Sequence, residues 1–344
     1  MKRGLAATLA LRSKIDLRTR YPEDLALFAD LGVGTVRLEF DWALLQPRPG
    51  AIDGSTAEWF QRFVDVAHAQ GIEVWAALHA GSEPRWFDDE GGFGDARAAG
   101  RFWPRWVEAV AERFGDQLDG WMPMSDPIGI AAPYAGDPKR HVETVANTIV
   151  AWRDAWRILH GGPPVATDLH LGMQAATDGT VPALQRARAA DRLRWTVWLR
   201  ALRDGMLRLP GIRERVVDDL AGSVDVLGAT TTLDLRGLFG DDELSRWRER
   251  LGTVVRRLAE EGPGRPLWLS VRTPWPHHAE RLQAVEAAVA ALGDAVADGI
   301  DLAVVAVDPG IDPVPGGSGG GLVDRDRERD DVTDAWRIVK TMSS

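Results

Sequence analysis

IEVWAAL (72–78), the segment 97–115 behind it and GWMPM (120–124) decide how this chain folds. A short apolar run, a long segment of helical periodicity and a second short apolar run make one strand–helix–strand unit. The same alternation extends outward in both directions. Upstream stand GLAATLAL (4–11) with a helix over 23–31, then GTVRLEF (34–40) with a helix over 56–70. Downstream come a helix over 141–160, PVATDLHL (164–171), a helical stretch 183–207, VDVLGATTTL (224–233), a helix over 242–261, PLWLSV (266–271), a helix over 277–297, DLAVVAV (301–307) and a closing helix over 331–341. Eight strands alternating with eight helices predict a single parallel (β/α)8 barrel, the TIM-barrel architecture, over 1–344. The Gly-rich tract 308–330 after the eighth strand reads as a flexible loop on the active-site face.

Composition narrows the function. The chain has 344 residues, 45% of them hydrophobic, enough for a large core. Its 51 acidic residues outnumber 41 basic ones, which argues against nucleic acid or an anionic membrane surface as partner, because both require clustered Lys and Arg. Cysteine is absent, so thiolate nucleophiles, disulfides and Cys-ligated zinc are excluded. No apolar stretch approaches the ~20 residues of a membrane span. In MKRGLAATLALRSK (1–14) the apolar run is near the bottom of the signal-peptide range and no convincing small-residue cleavage site follows it, so it reads as the first strand, giving a cytoplasmic expectation. No G-x-G-x-x-G follows a strand, so no dinucleotide or other cofactor is expected. The chain carries no signal for an oligomeric state.

GIEVWAALHAGSEPRWFDDEGGF (71–93) and RFWPRWVEAVAERFGDQLDGWMPMSDP (101–127), with LGVGTVRLEFDWALLQPRPGAID (31–53) upstream, resemble glycoside hydrolase family 1. AWRDAWRIL (151–159) and VDVLGATT (224–231) fit it more loosely. The likeness is strong over about residues 30–130 and weak after about 230. It implies a barrel whose chemistry is retaining hydrolysis of a β-glycoside. A Glu in an Asn-Glu-Pro motif ending strand four protonates the leaving group, and a Glu in a Thr-Glu-Asn-Gly motif ending strand seven attacks the sugar. Such a pair stands about 5–5.5 Å apart.

This sequence departs from that pattern. The strand-four motif reads Met124-Ser125-Asp126-Pro127, so the acid is one methylene shorter and its Asn neighbour is Ser125. In PLWLSVRTP (266–274) the nucleophile position aligns with Val271; a one-residue slip places Ser270 or Arg272 there, neither of them a carboxylate. The family's third-strand His aligns with Ala80, beside His79. Its Asn-Tyr pair after strand six is replaced by Thr230, Thr231 and Thr232. Its first-strand Gln motif and its late Glu-Trp motif have no counterpart. The chain is also shorter than typical members, implying trimmed loops and a more open mouth.

In a barrel, function gathers at the C-terminal strand ends. Arg37, Glu39 and Asp41 alternate along strand two and share one side; they are either a buried structural Arg–carboxylate set or partners for Asp126. His79 and Glu83 end strand three, as ligand contacts or as wall and turn residues. Asp168 and His170 share a side of strand five; with His79 they invite a metal reading, although a structural hydrogen-bonded pair explains the spacing better. Arg272 and Asp308 end strands seven and eight, as a salt bridge or an anion-binding corner. His277 and His278 begin a helix and face solvent. Of fifteen Trp, Trp152/Trp156 and Trp195/Trp198 have helical spacing and pack helices on the barrel, as do Trp103 and Trp106. Trp42, Trp86, Trp121 and Trp275 sit near strand ends and either pack or stack on a ligand.

The expectation is a divergent relative of that family with a small polar or glycoside-like ligand in the barrel mouth and no ordinary double displacement. If it is catalytic, Asp126 is the acid or base, partnered by Glu39, His79 or Glu83, in a lyase, cyclisation or isomerisation step. Ser125, Thr230, Arg37, Trp42, Asp168, His170, Arg272, Trp275 and Asp308 would line the ligand. The alternatives are a non-catalytic carbohydrate- or protein-binding protein and an inverting glycoside hydrolase.

Overall fold

The computed structural model describes residues 1–11, 15–81, 83–171, 180–232, 241–273, 278–314 and 320–342. Its strands are β1 (Gly4–Leu9), β2 (Thr35–Glu39), β3 (Glu73–Ala77), β4 (Gly120–Met122), β5 (Leu169–His170), a small pair β6 (Met206–Leu207) and β7 (Arg215–Val216), then β8 (Leu227–Thr232), β9 (Leu267–Arg272) and β10 (Leu302–Val307). Eight of these form one parallel sheet in the order β4-β3-β2-β1-β10-β9-β8-β5. The two ends of that order meet: Trp121 bridges Val165 and Ser125 bridges Asp168, both parallel. The Asp126 amide donates to the Asp168 carbonyl at 2.9 Å. The sheet is thus a closed (β/α)8 barrel.

Strand alternation splits the core in two. Ala6, Trp75, Ala77, Met122, Ala166, Val226, Trp268, Val304 and Ala306 fill the barrel. The residues between them, such as Leu5, Val36, Leu38, Val74, Ala76, Leu269 and Val271, face outward and pack under the helices. Large and small side chains interlock inside. The rings of Trp75 and Trp268 lie 5.1 Å apart, and Trp75 finds room only because Gly120 has no side chain: a Cβ there would overlap the indole.

Several helices start on Asp caps. The side chain of Asp53 accepts from Thr56 N (2.7 Å), Asp95 from Arg97 N and Ala98 N (both 2.8 Å), and Asp137 from Arg140 N (3.1 Å). In the helix Ala96–Phe114, Ala99, Trp103, Trp106, Val110 and Phe114 form the buried stripe.

Three expectations change. Strand five is broken: only Leu169–His170 is regular, and Val165, Ala166 and Asp168 join through isolated bridges. The Thr167 hydroxyl sits on both the N–H and the C=O of Gly228 (2.8 Å each), taking the place of ladder bonds. The expected helix 183–207 divides into Val181–Asp191, a π turn Arg192–Thr196 and Val197–Asp204; Gly205, at φ 70°, ends it and begins the β6–β7 ribbon. Of the Gly-rich tract, residues 310–312 and 320–323 are buried. Asp312 accepts from Val314 N (2.8 Å) and Gly320 N (3.1 Å), and Arg281 donates to the Gly321 carbonyl. Residues 315–319 lie outside the described residues. Among the described residues no helix is long and apolar enough to cross a membrane.

Replacing Gly120 by Ala is expected to cost about 1–3 kcal/mol through overpacking against Trp75. Denaturant unfolding monitored by tryptophan fluorescence checks this; an unchanged midpoint contradicts it.

Candidate active site at the barrel mouth

The inward positions at the C-terminal ends of the strands carry Thr8, Arg37 and Glu39, His79, Ser125 and Asp126, Asp168 and His170, Thr230, Ser270 and Arg272, and Asp308. They form a buried floor and a more accessible rim.

Arg37 is the centre of the floor, 1% exposed. Its Nη1 lies 2.5 Å from Asp168 Oδ2 and its Nη2 3.8 Å from Asp308 Oδ2. The other Asp168 oxygen accepts from the Thr230 hydroxyl at 2.6 Å. Burial alone would push the Asp168 carboxyl up, but the Arg37 charge, His170 and Thr230 outweigh it and hold it far below the usual carboxylate range. Burial likewise opposes the Arg37 charge, and Asp168, Asp308 and Glu39 overcome it. Asp308 is also gripped by Arg272, whose Nε and Nη2 stand 2.8 and 2.7 Å from Oδ2.

Asp126 belongs to the rim through an unusual backbone. Ser125 pairs in register with inward-facing Asp168, so simple alternation would send the next side chain outward. Asp126 instead adopts φ 46°, a left-handed conformation that Asp tolerates better than most residues, and its carboxylate returns to the mouth. Its Oδ1 and its carbonyl both accept from Gly129 N, at 3.0 and 2.9 Å. Its Oδ2 lies 3.4 Å from His170 Nδ1. A Cβ on Gly129 would overlap that carboxylate. His170 Nε2 stands 3.8 Å from Asp168, beyond hydrogen-bond reach.

At the end of β3, His79 Nε2 and Glu83 Oε1 are 2.9 Å apart. Burial pushes the Glu83 carboxyl up, but the His79 hydrogen bond and charge bring it below its ordinary value, helped by Asp88. Asp88 is raised to about 6 by burial and by its hydrogen bond and repulsion with Glu83. Glu39 differs from all of these. No hydrogen bond or ion pair holds it among the described residues, and burial, with Asp308 and Asp41 against Arg37 and Arg272, raises it to about 7.

Among the described residues, several buried polar atoms on the inward faces also lack a partner: Thr8 Oγ1, Arg37 Nε, His79 Nδ1, Ser125 Oγ and His170 Nε2. Buried polar atoms are normally paired, so a cluster of unpaired ones marks a place where water or a ligand bonds.

The structure brings most of the sequence-selected residues together and removes some. Trp42 is fully buried under the sheet, its ring stacked 5.5 Å from Trp106 and its Nε1 donating to Gln46 at 2.9 Å, so it packs rather than meeting a ligand. Trp121 is buried in the same outer layer. Asp41 caps the helix Trp42–Leu45 through Leu44 N at 3.0 Å. Val271 faces outward under the helices, and the inward residue ending β9 is Arg272. The metal reading of His79 with Asp168 and His170 fails on geometry, since His79 pairs with Glu83; among the described residues no group of three His, Asp or Glu is placed to hold a metal. Trp275 and His277 lie outside the described residues. Sequence reasoning passed over Asp88 and Gly129. Asp126-Pro127-x-Gly129 is a turn signature that would have found the glycine.

Two outcomes follow from this network. Arg37→Met leaves Asp168 buried without its counter-charge and is expected to cost about 3–5 kcal/mol in denaturant unfolding. The second concerns pH. Because the folded state raises Glu39 from 4.5 to about 7, it favours the protonated form; the stability this adds is complete below about 4.5 and lost as pH rises through 7. Glu39→Gln keeps the neutral form at every pH. It should therefore melt like wild type near pH 4.5 and be more stable by about 1–3 kcal/mol at pH 8. An equal difference at both pH values contradicts the assignment.

The model of glycosyl hydrolase family 1 matches residues 10–182. A β-glucosidase of Agrobacterium sp. is 30% identical over 113 residues, 33% of this chain and 24% of that protein. Thermostable β-glucosidase B of Thermobispora bispora is 28% identical over 122 residues, 35% of this chain and 26% of that protein. The matched stretch thus spans about a quarter of these curated relatives. A family 1 β-glucosidase from Thermotoga maritima superposes with a TM-score of 0.83 at 14% identity, covering 99% of this chain and 97% of that one; other structures of the Thermotoga protein hold isofagomine lactam and glucoimidazole. At that identity the superposition establishes the fold. The family model spans half of the chain, and the chain belongs to glycosyl hydrolase family 1.

Proposed function

We propose that this chain is a divergent family member that binds a small, polyhydroxylated, glycoside-like ligand at the barrel mouth and does not carry out retaining β-glycoside hydrolysis. One observation carries the reading: the inward residue ending β9 is Arg272, held on Asp308 at 2.7–2.8 Å. Double displacement needs a free carboxylate about 5–5.5 Å from the acid to form the glycosyl–enzyme bond. Here the strand offers a guanidinium, and the nearest β10 carboxylate is occupied by it.

Binding is supported separately by the unpaired inward hydroxyl, imidazole and guanidinium atoms, which suit the donors and acceptors of a sugar ring. The sugar-like inhibitors named in the Thermotoga maritima structures point to the same ligand class. Any chemistry would be proton exchange on Asp126. His170 Nδ1, 3.4 Å from its Oδ2, offers a second station for the proton.

Nitrophenyl β-glycosides test the proposal. The expected result is release no faster from the wild type than from Asp126→Asn, together with a rise in melting temperature on adding monosaccharides. Turnover with retained anomeric configuration that Asp126→Asn abolishes would overturn it.

A further inference from the structure

We propose that Glu39 makes the mouth selective for a sugar bearing an amine, the protonated nitrogen sitting against its carboxylate. The inference rests on the sugar-binding reading above and adds the charge of the ligand. Each other carboxyl around the mouth already has a partner: Asp168 has Arg37 and Thr230, Asp308 has Arg272, Asp126 has Gly129 N and His170, and Glu83 has His79. Glu39 points inward from the end of β2, two residues beyond Arg37 on the same face, and among the described residues no side chain or amide holds it. It is partly accessible, whereas Arg37 beneath it is not.

The charged groups facing Glu39 come from three strands. Arg37 and Asp41 flank it on β2 and beyond its end, Arg272 comes from β9 and Asp308 follows β10. Both guanidiniums are already committed to carboxylates. Against the guanidiniums of Arg37 and Arg272 stand the carboxyls of Glu39, Asp126, Asp168 and Asp308, so the mouth favours an incoming cation over an anion. An ammonium at Glu39 would supply the counter-charge that a partly buried carboxylate needs. The inward Thr8 Oγ1, Ser125 Oγ and His79 Nδ1, each at least nine-tenths buried and unpartnered among the described residues, remain for the ring hydroxyls. A neutral sugar would satisfy these atoms and leave Glu39 to take up a proton instead.

Calorimetric titration of the whole chain at pH 7.5 tests this, using glucose, 2-amino-2-deoxyglucose and 6-amino-6-deoxyglucose. At least one amino sugar is expected to bind about tenfold or more tightly than glucose. Glu39→Gln, isosteric and uncharged, should bring the affinities within about twofold of each other; its melting curve verifies folding, and Glu39→Ala gives the same comparison without the amide. A preference that persists in both variants overturns the role of Glu39. Equal affinity of wild type for all three sugars overturns the amine inference and leaves the sugar-binding reading standing. Binding of none of them overturns both.

Discussion

Everything at the mouth depends on one buried guanidinium. Arg37 leaves β2 inside the barrel and meets Asp168 of the β5 segment on one side and Asp308 after β10 on the other. Three charges share a space from which water is excluded. Burying any one alone would cost several kcal/mol, and only the set is tolerable. The interaction ties strands from different parts of the wall to one another, above the plug formed by Trp75 and Trp268. It also engages the carboxylates of Asp168 and Asp308.

That constraint sorts the remaining polar groups. Arg272 completes the neutralisation of Asp308, so the end of β9 becomes part of the electrostatic frame rather than a reacting group. Asp126 escapes the frame because its left-handed backbone turns its carboxylate over the Gly129 amide toward His170. Glu39 escapes because both nearby guanidiniums are already engaged. Among the described residues the site offers Asp126 and His170 3.4 Å apart, the Glu39 carboxyl without a hydrogen bond or ion pair, and a set of buried donors and acceptors.

Much of this was legible in the residues. The period switch between apolar runs and amphipathic segments reports which faces must be buried, and it located all eight strands. The string around Ala111–Gly115 and the fourth strand carried the family. What local pattern missed has identifiable causes. Strand five looks continuous, but the Thr167 hydroxyl bonding to Gly228, a residue sixty-one positions away, breaks its ladder. Trp42 sits at a strand end like a ligand-stacking residue, yet Trp106 and the helix above the sheet enclose it. Val271 was the aligned position for the nucleophile; strand parity, set by register with β8 and β10, turns it outward and puts Arg272 in the mouth.

The sequence alone determined the barrel, its eight parallel strands, the lack of cysteine and the presence of Asp at position 126, since each depends on residue identity and short-range periodicity. Only the tertiary structure decided which carboxyls are free. Whether Asp168, Asp308, Glu83 or Glu39 is paired depends on side chains brought together from strands far apart in the chain, and pairing, more than residue type, fixes what a buried carboxyl can do.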